Sequence, residues 1–252
     1  GLMFEVKGLG SEINYSGNIK VTSRQLASGN MDKADAMGAI SQVSADFSID
    51  GPESQWSSLY PFTIRRGNSR LASVYAGYND KFVFARWDVT DDTPLLNTAD
   101  DIQMGFATGD SVGLYFGPAG ERTLPGPGDV RIMVVPNGKD GKVSVIGMKP
   151  VTSGEKLLRT YRSPMQSADF DWVGAIPGAS AKAKLFSGGY CVMVSIPRSF
   201  FVNLTFAPGE DIKFDAEVLL SDSAGKKTLS RNFLFARGAE VSMVNDIPTE
   251  AR

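Results

Sequence analysis

Asp215 and Glu217, two acids two residues apart, are the first groups in this chain whose spacing could do chemistry. On an extended strand they share a face about 6–7 Å apart, within the range of paired carboxylates acting on a glycosidic bond. Any strand with polar alternation produces that spacing, so the pair alone does not point to catalysis. The chain has no histidine. This removes Ser-His-Asp and Cys-His nucleophiles, and imidazole ligands for zinc or copper. The lone Cys191 cannot form an internal disulfide, and in the strand-like run GGYCVMVSIP it reads as a buried structural thiol. The acidic loop Asp88-Val89-Thr90-Asp91-Asp92 has the oxygen chemistry of a structural calcium site on Asp91 and Asp92. It lacks the glycine-spaced loop of an EF-hand, and solvated turn acids are the alternative. What remains is a set of aromatic and guanidinium groups. Trp87 alternates with Val83, Ala85 and Val89 and reads as core, as does Trp56. Trp172, in Ala168-Asp169-Phe170-Asp171-Trp172, is the least explained aromatic. By parity Arg131 and Arg231 face away from the apolar side of their strands, placed to line a common sheet face or to form surface salt bridges.

The elements that must position these groups are mostly strands. In Asp211–Ser221, Ile212, Phe214, Ala216, Val218 and Leu220 share one face, while Lys213, Asp215, Glu217 and Ser221 share the other, interrupted by Leu219. Val192, Val194 and Ile196 share a face, as do Val130, Ile132 and Val134. Lys81–Thr90 is apolar on both faces, as a central strand packed on two sides would be. Turn signals separate the runs: Asn79-Asp80, Pro136-Asn137-Gly138, Ser187-Gly188-Gly189 and Ser223-Ala224-Gly225. Helix is scarce, with a short helix expected over Met31–Ala39 and one turn opened by Pro197-Arg198-Ser199. Many short strands and few helices predict an all-β, antiparallel β-sandwich with jelly-roll or immunoglobulin-like layers. The stretch 117–128 reads as a surface loop, and 152–183 as a poorly periodic excursion across one end of the sandwich. Residues 1–40, broken by glycines, read as an appended segment or the end of a preceding domain, and 41–252 as the sandwich.

Composition bounds the partners. Lys plus Arg number 26 against 28 Asp plus Glu, a formal charge of -2, which offers no basic excess for nucleic acid. No apolar run is long enough for a membrane span. The chain begins at Gly1 rather than Met and carries no signal-peptide pattern, which reads as a processed piece of something longer.

Six segments in order carry a resemblance. Asp50-Gly51 followed by Trp56 matches a "D-G-x-x-x-x-W" opening, Asp80-Lys81-Phe82-Val83 a "D-x-x-L-Y-V" element, and Val89-Thr90-Asp91-Asp92-Thr93-Pro94 a "V-x-D-x-x-P" loop. Asp110-Ser111-Val112 matches a "D-S-V-E" strand start with Gly113 in place of glutamate. Gly188-Gly189-Tyr190 through Ile196-Pro197 and Phe214 through Asp222-Ser223-Ala224-Gly225 complete the series. Together they resemble the family 9 carbohydrate-binding modules and the related DOMON-like sandwiches. The resemblance implies a secreted or periplasmic, non-catalytic sandwich attached to other domains of a larger polysaccharide-related protein. Its partner would be a polysaccharide or oligosaccharide.

Sugar rings stack their C–H faces on aromatic planes, and their hydroxyls need forked donors and acceptors. The family's stacking tryptophans correspond here to Phe106 and to a position within Arg231-Asn232-Phe233-Leu234-Phe235, and its arginine to Arg131. Gly113 offers no side chain to a hydroxyl. The sugar-binding candidates are therefore Phe106, Trp172, Arg131, Arg231 and Asp110, the last equally suited to capping a strand end. Two other readings remain: a structural or docking sandwich that has lost sugar binding, and a haem-binding DOMON-like domain, which without histidine would need Met or Lys ligands. No cofactor is expected beyond the possible calcium.

Overall fold

The computed structural model describes residues 19–22, 39–120, 124–136, 142–154, 157–162, 167–235, 243–244 and 247–248. The helix expected over Met31–Ala39 lies outside these residues, except for Ala39, which opens a strand. In chain order the elements are β1 (Ile19–Thr22), β2 (Ala39–Gln42), β3 (Phe62–Arg66), β4 (Ser69–Tyr78), β5 (Phe82–Thr90), a one-turn helix α1 (Gly105–Thr108), β6 (Ser111–Pro118), β7 (Val130–Pro136) and β8 (Val143–Lys149). They continue with β9 (Arg159–Arg162), β10 (Ser167–Phe170), β11 (Trp172–Ala175), β12 (Ser180–Phe186), β13 (Gly189–Pro197), β14 (Asp211–Ser221) and β15 (Thr228–Phe233). The expected all-β sandwich is what the chain forms.

Two antiparallel layers face each other. Sheet I runs β15-β14-β6-β7-β8-β11, and sheet II runs β3-β4-β5-β13-β12. Strands β1 and β2 connect the layers, β1 pairing antiparallel with β14 and parallel with β2, which pairs parallel with the end of β4. Between the layers lies the main core. It takes Val74, Val83, Trp87 and Val194 from sheet II and Leu114, Ile132, Phe214 and Val218 from sheet I. The period-two faces expected for β5, β7, β13 and β14 are the ones buried there.

Local chemistry explains the sharp corners. The Asn79 side chain accepts the N–H groups of Lys81 and Phe82, at 3.0 Å each, and closes the β4–β5 turn. Pro197 breaks β13, and Arg198–Phe200 makes one 3-10 turn, as expected. The stretch 152–183 departs from expectation. Its polar residues mask strands of four to seven residues: β9 and β10 pair as a hairpin, β11 extends sheet I beside β8, and β12 forms the edge of sheet II.

Both layers are covered on their outer sides. On sheet II, Phe47, Ile49, Trp56 and Leu59 pack over Phe84, Cys191 and Met193. Cys191 is the buried thiol expected, and burial pushes it up to about 12. On sheet I, Ala168 and Phe170 of the hairpin lie against Met133, Val135, Ile146 and Met148, with Phe106 and Tyr161 at the margin.

Candidate functional site

The outer face of sheet I also carries charged residues of β14 that are not solvated. Asp215 and Glu217 are both wholly buried. Register accounts for Glu217. It sits opposite Gly113 of β6, which sits opposite Met133 of β7, while Tyr115 is opposite both Asp215 and Arg131. A Cβ added at Gly113 would come within 2.5 Å of Glu217 Oε1 and 2.8 Å of its Cγ. The absent side chain is therefore the space that the Glu217 carboxylate fills.

Two arginines converge on that carboxylate. Arg131, wholly buried on β7, donates from Nε (3.2 Å) and Nη2 (2.9 Å) to Glu217 Oε1. Arg231, on β15 with a side chain 25% exposed, donates from Nε to Oε2 at 2.6 Å and from Nη2 to the Tyr115 hydroxyl at 2.5 Å. Such charge-assisted, forked bonds hold planar groups in fixed orientation. Aromatic rings frame the cluster: Phe106 lies 5.1 Å from the Arg131 guanidinium carbon, Tyr115 lies 5.7 Å from it, and Phe233 lies 5.0 Å from that of Arg231.

Helix α1 is too short to hold itself, and its neighbours seat it. The Asn97 amide donates to Gly105 O (2.7 Å) and Asp110 O (3.0 Å), and the Thr228 hydroxyl donates to Phe106 O (3.0 Å). Phe106 is thereby held part-exposed beside Tyr161, at 5.4 Å edge to face.

Electrostatics follow from burial and pairing. Burial pushes the Glu217 carboxyl up, but the charges of Arg131 and Arg231 and hydrogen bonds from Arg231 and Tyr115 outweigh it, and the group sits below its ordinary value. Burial opposes the charge of Arg231, and Glu217 overcomes that as well, raising it. Tyr115 is pushed well up by burial. All three favour a neutral phenol beside a carboxylate clamped by two guanidiniums. Asp215 Oδ1 accepts the N–H groups of Ala216, Leu234 and Phe235. The spaced acids are thus structural anchors, with no geometry for acid–base work on a substrate.

The other expected residues fall elsewhere. Asp110 is wholly buried and braces a strand end, Oδ1 accepting Ser221 N (2.7 Å) and Oδ2 accepting Leu96 N (2.9 Å); burial nonetheless pushes its carboxyl up. Trp172 does not join Phe106. It pairs with Lys149, whose inward parity is opposite to that of Met148. Its indole lies across the paired Gly147 and Gly174, against Phe200 at 5.9 Å, at the edge of the inter-sheet core. Trp56 and Trp87 are core, as expected. Asp91 accepts the Thr93 N–H (3.0 Å) and hydroxyl (2.9 Å), and Asp92 is exposed. Among the described residues no three acidic, Cys or His side chains gather to hold a metal.

No family model matches the chain, and no curated protein does. Solved structures do. A family 9 carbohydrate-binding module from Caldicellulosiruptor kristjanssonii, in complex with cellotriose, superposes with a TM-score of 0.52 at 15% identity, covering 82% of this chain and 88% of that one. The fold is family 9-like. A family 9 module from the same organism in complex with glucose gives 0.48 at 16% identity over 76% of this chain and 83% of that one.

Within the family 9-like frame, the glycine at 113 has a physical reason. Gly113 does not leave a hole where the family pattern carries glutamate, because Glu217 reaches into that space from the neighbouring strand. From the sequence, Glu217 stood only as the partner of Asp215 and Phe233 only within the stretch that matches a family tryptophan, while Tyr115 was not singled out. One signal was available: two arginines on one sheet face require a counter-charge, and Glu217 is on that face by parity.

Proposed function

We propose that the chain is a non-catalytic carbohydrate-binding domain of a larger exported protein, and that its ligand lies against the rim of the Glu217 cluster. The supporting observation is the geometry at Gly113, where Arg131, Glu217 and Arg231 form a fixed donor–acceptor fork framed by Phe106 and Phe233. In this reading a sugar face stacks on Phe106, the part-exposed Arg231 donates to hydroxyls, and Arg131 and Glu217 orient Arg231 from beneath. The likeness to a module bound to cellotriose supports a neutral glycan, and the absence of any basic excess agrees. Calorimetric titration against a panel of neutral oligosaccharides and free sugars tests it. Saturable binding at millimolar ligand or below is expected, and uniform silence would remove the proposal.

A second reading has a specific observation behind it. Arg131 and Glu217 are wholly buried, and the β9–β10 hairpin lies over the same sheet face. A structural or docking sandwich that has closed over its pocket would look like this. It expects no heat with any sugar and unchanged folding stability in their presence.

A further inference from the structure

We propose that the tip of the β3–β4 hairpin is a second binding surface, one that holds the carboxylates of a uronate-bearing polysaccharide. Arg65, Arg66 and Arg70 are gathered there, and all three are exposed. The choice of a polysaccharide rests on the carbohydrate-binding reading. The surface itself belongs to sheet II and shares no residue with the Glu217 cluster.

The turn fixes where these side chains stand. Strand β3 ends at Arg66 and β4 begins at Ser69, so Gly67 and Asn68 form the whole connection. Gly67 takes a φ of +59°, which a two-residue hairpin turn requires at its first central position. A Cβ built there would meet no atom within 4 Å, so the tip stands clear of the described body. The pairing slips between Ile64 and Arg65, and this sets Arg65 directly opposite Arg70. Phe62, Ile64, Leu71 and Ala72 all lie in the inter-sheet core, so both arginines turn to the outer side of sheet II.

Side chains directly opposed across a hairpin sit about 5 Å apart at Cβ, where like charges repel. Other arginines of the chain are neutralised: Arg86 holds Asp88, Arg159 holds Asp101, and Arg131 and Arg231 hold Glu217. Arg65, Arg66 and Arg70 hold no carboxylate among the described residues. Arg65 donates from Nη1 to Asn68 O at 3.1 Å, which pins its guanidinium over the turn and leaves four N–H groups for a ligand. Asp88 lies further along the same face, opposite Ser73, but its Oδ1 is taken by Arg86 Nε at 2.8 Å. Guanidiniums bind carboxylates through paired N–H bonds, and several on one tight turn suit the successive acid groups of a polymer. Duplex nucleic acid fits less well. It carries a charge about every 1.7 Å of its axis, and a chain of net charge -2 repels it everywhere but at this tip.

The test is a calorimetric titration of the full chain with polygalacturonate, beside dextran, neutral oligosaccharides and duplex DNA, at about 20 mM and about 200 mM salt. Saturable binding of polygalacturonate is expected at the lower salt, weakened at least about tenfold at the higher. The triple variant Arg65→Gln, Arg66→Gln, Arg70→Gln should lose at least about tenfold in the same affinity. Its Tm should equal or exceed that of the wild type, since the opposed charges are gone, and its response to neutral oligosaccharides should be unchanged. Polygalacturonate binding that the variant retains, that ignores salt, or that duplex DNA exceeds would overturn the proposal. Silence with polygalacturonate beside heat from neutral oligosaccharides would overturn it and leave the Glu217 reading intact. Binding lost in the variant, with silence from every neutral sugar, would support the hairpin surface and remove the Glu217 reading alone.

Discussion

The two sheets of this sandwich are covered in opposite ways. Over sheet II, the segment around Phe47 and Trp56 closes on Phe84, Cys191 and Met193 with an apolar contact, and the ion pairs that tie it to β12, Asp50–Lys182 and Glu53–Lys184, are solvent-exposed. Over sheet I, the hairpin closes on methionines and aliphatics at one end, but at the other end the cover is Phe106 above a carboxylate held by two guanidiniums. Apolar cover stabilises through area alone and tolerates any shape that fills the space. A buried ionic cluster is a weak source of net stability and depends on every partner being present. Sheet II therefore has a lid, while sheet I has a mechanism for holding donors and acceptors in place.

Substitutions can break that contrast. The largest effect should come from Glu217→Gln, which strands two guanidiniums: about 3–5 kcal/mol by thermal denaturation, with sugar binding lost. This loss should depend on pH. The folded Glu217 carboxyl sits below its ordinary 4.5, so its contribution is full above that value and disappears as pH falls through the folded one. The gap in Tm between wild type and variant should be constant above about pH 4.5 and narrow below it. Trp56→Ala on the other lid should cost a similar about 3–5 kcal/mol, but with no such narrowing and with sugar affinity retained in the folded fraction.

The difference between the lids also marks how far the sequence could be read. Trp56 and Trp87 were legible as core because their neighbours alternate or follow a recognisable opening. The Asn79 turn was legible because asparagine caps its own backbone. Parity placed Arg131 and Arg231 where they could line a common sheet face, and Glu217 on the polar face of its own strand. It could not say that the face is covered, because the cover is a hairpin of two four-residue strands that pair only with each other. Such strands carry too few alternations to stand out, and a charged face without its cover reads as solvated. The place of Trp172 was not legible for a related reason: the register that turns it inward, opposite Lys149, belongs to the β8–β11 pairing and not to the local sequence.

Smaller changes sharpen the comparison. Gly113→Ala should cost about 1–3 kcal/mol, because its Cβ competes with Glu217 Oε1 for the same space, and it should weaken sugar binding by displacing the fork. Phe106→Ala is part-exposed, so its effect on Tm should be the smallest of the set. Its cost should appear instead as a fall in affinity of about tenfold, from the lost stacking surface.

The most direct measurement is a calorimetric comparison of wild type and Arg231→Gln with a neutral oligosaccharide, since Arg231 is the part-exposed member of the cluster. Saturable binding by the wild type, weakened at least about tenfold in the variant, is the expected result. Equal affinity in both proteins, or no heat from the wild type, would contradict a binding surface built on the Glu217 cluster.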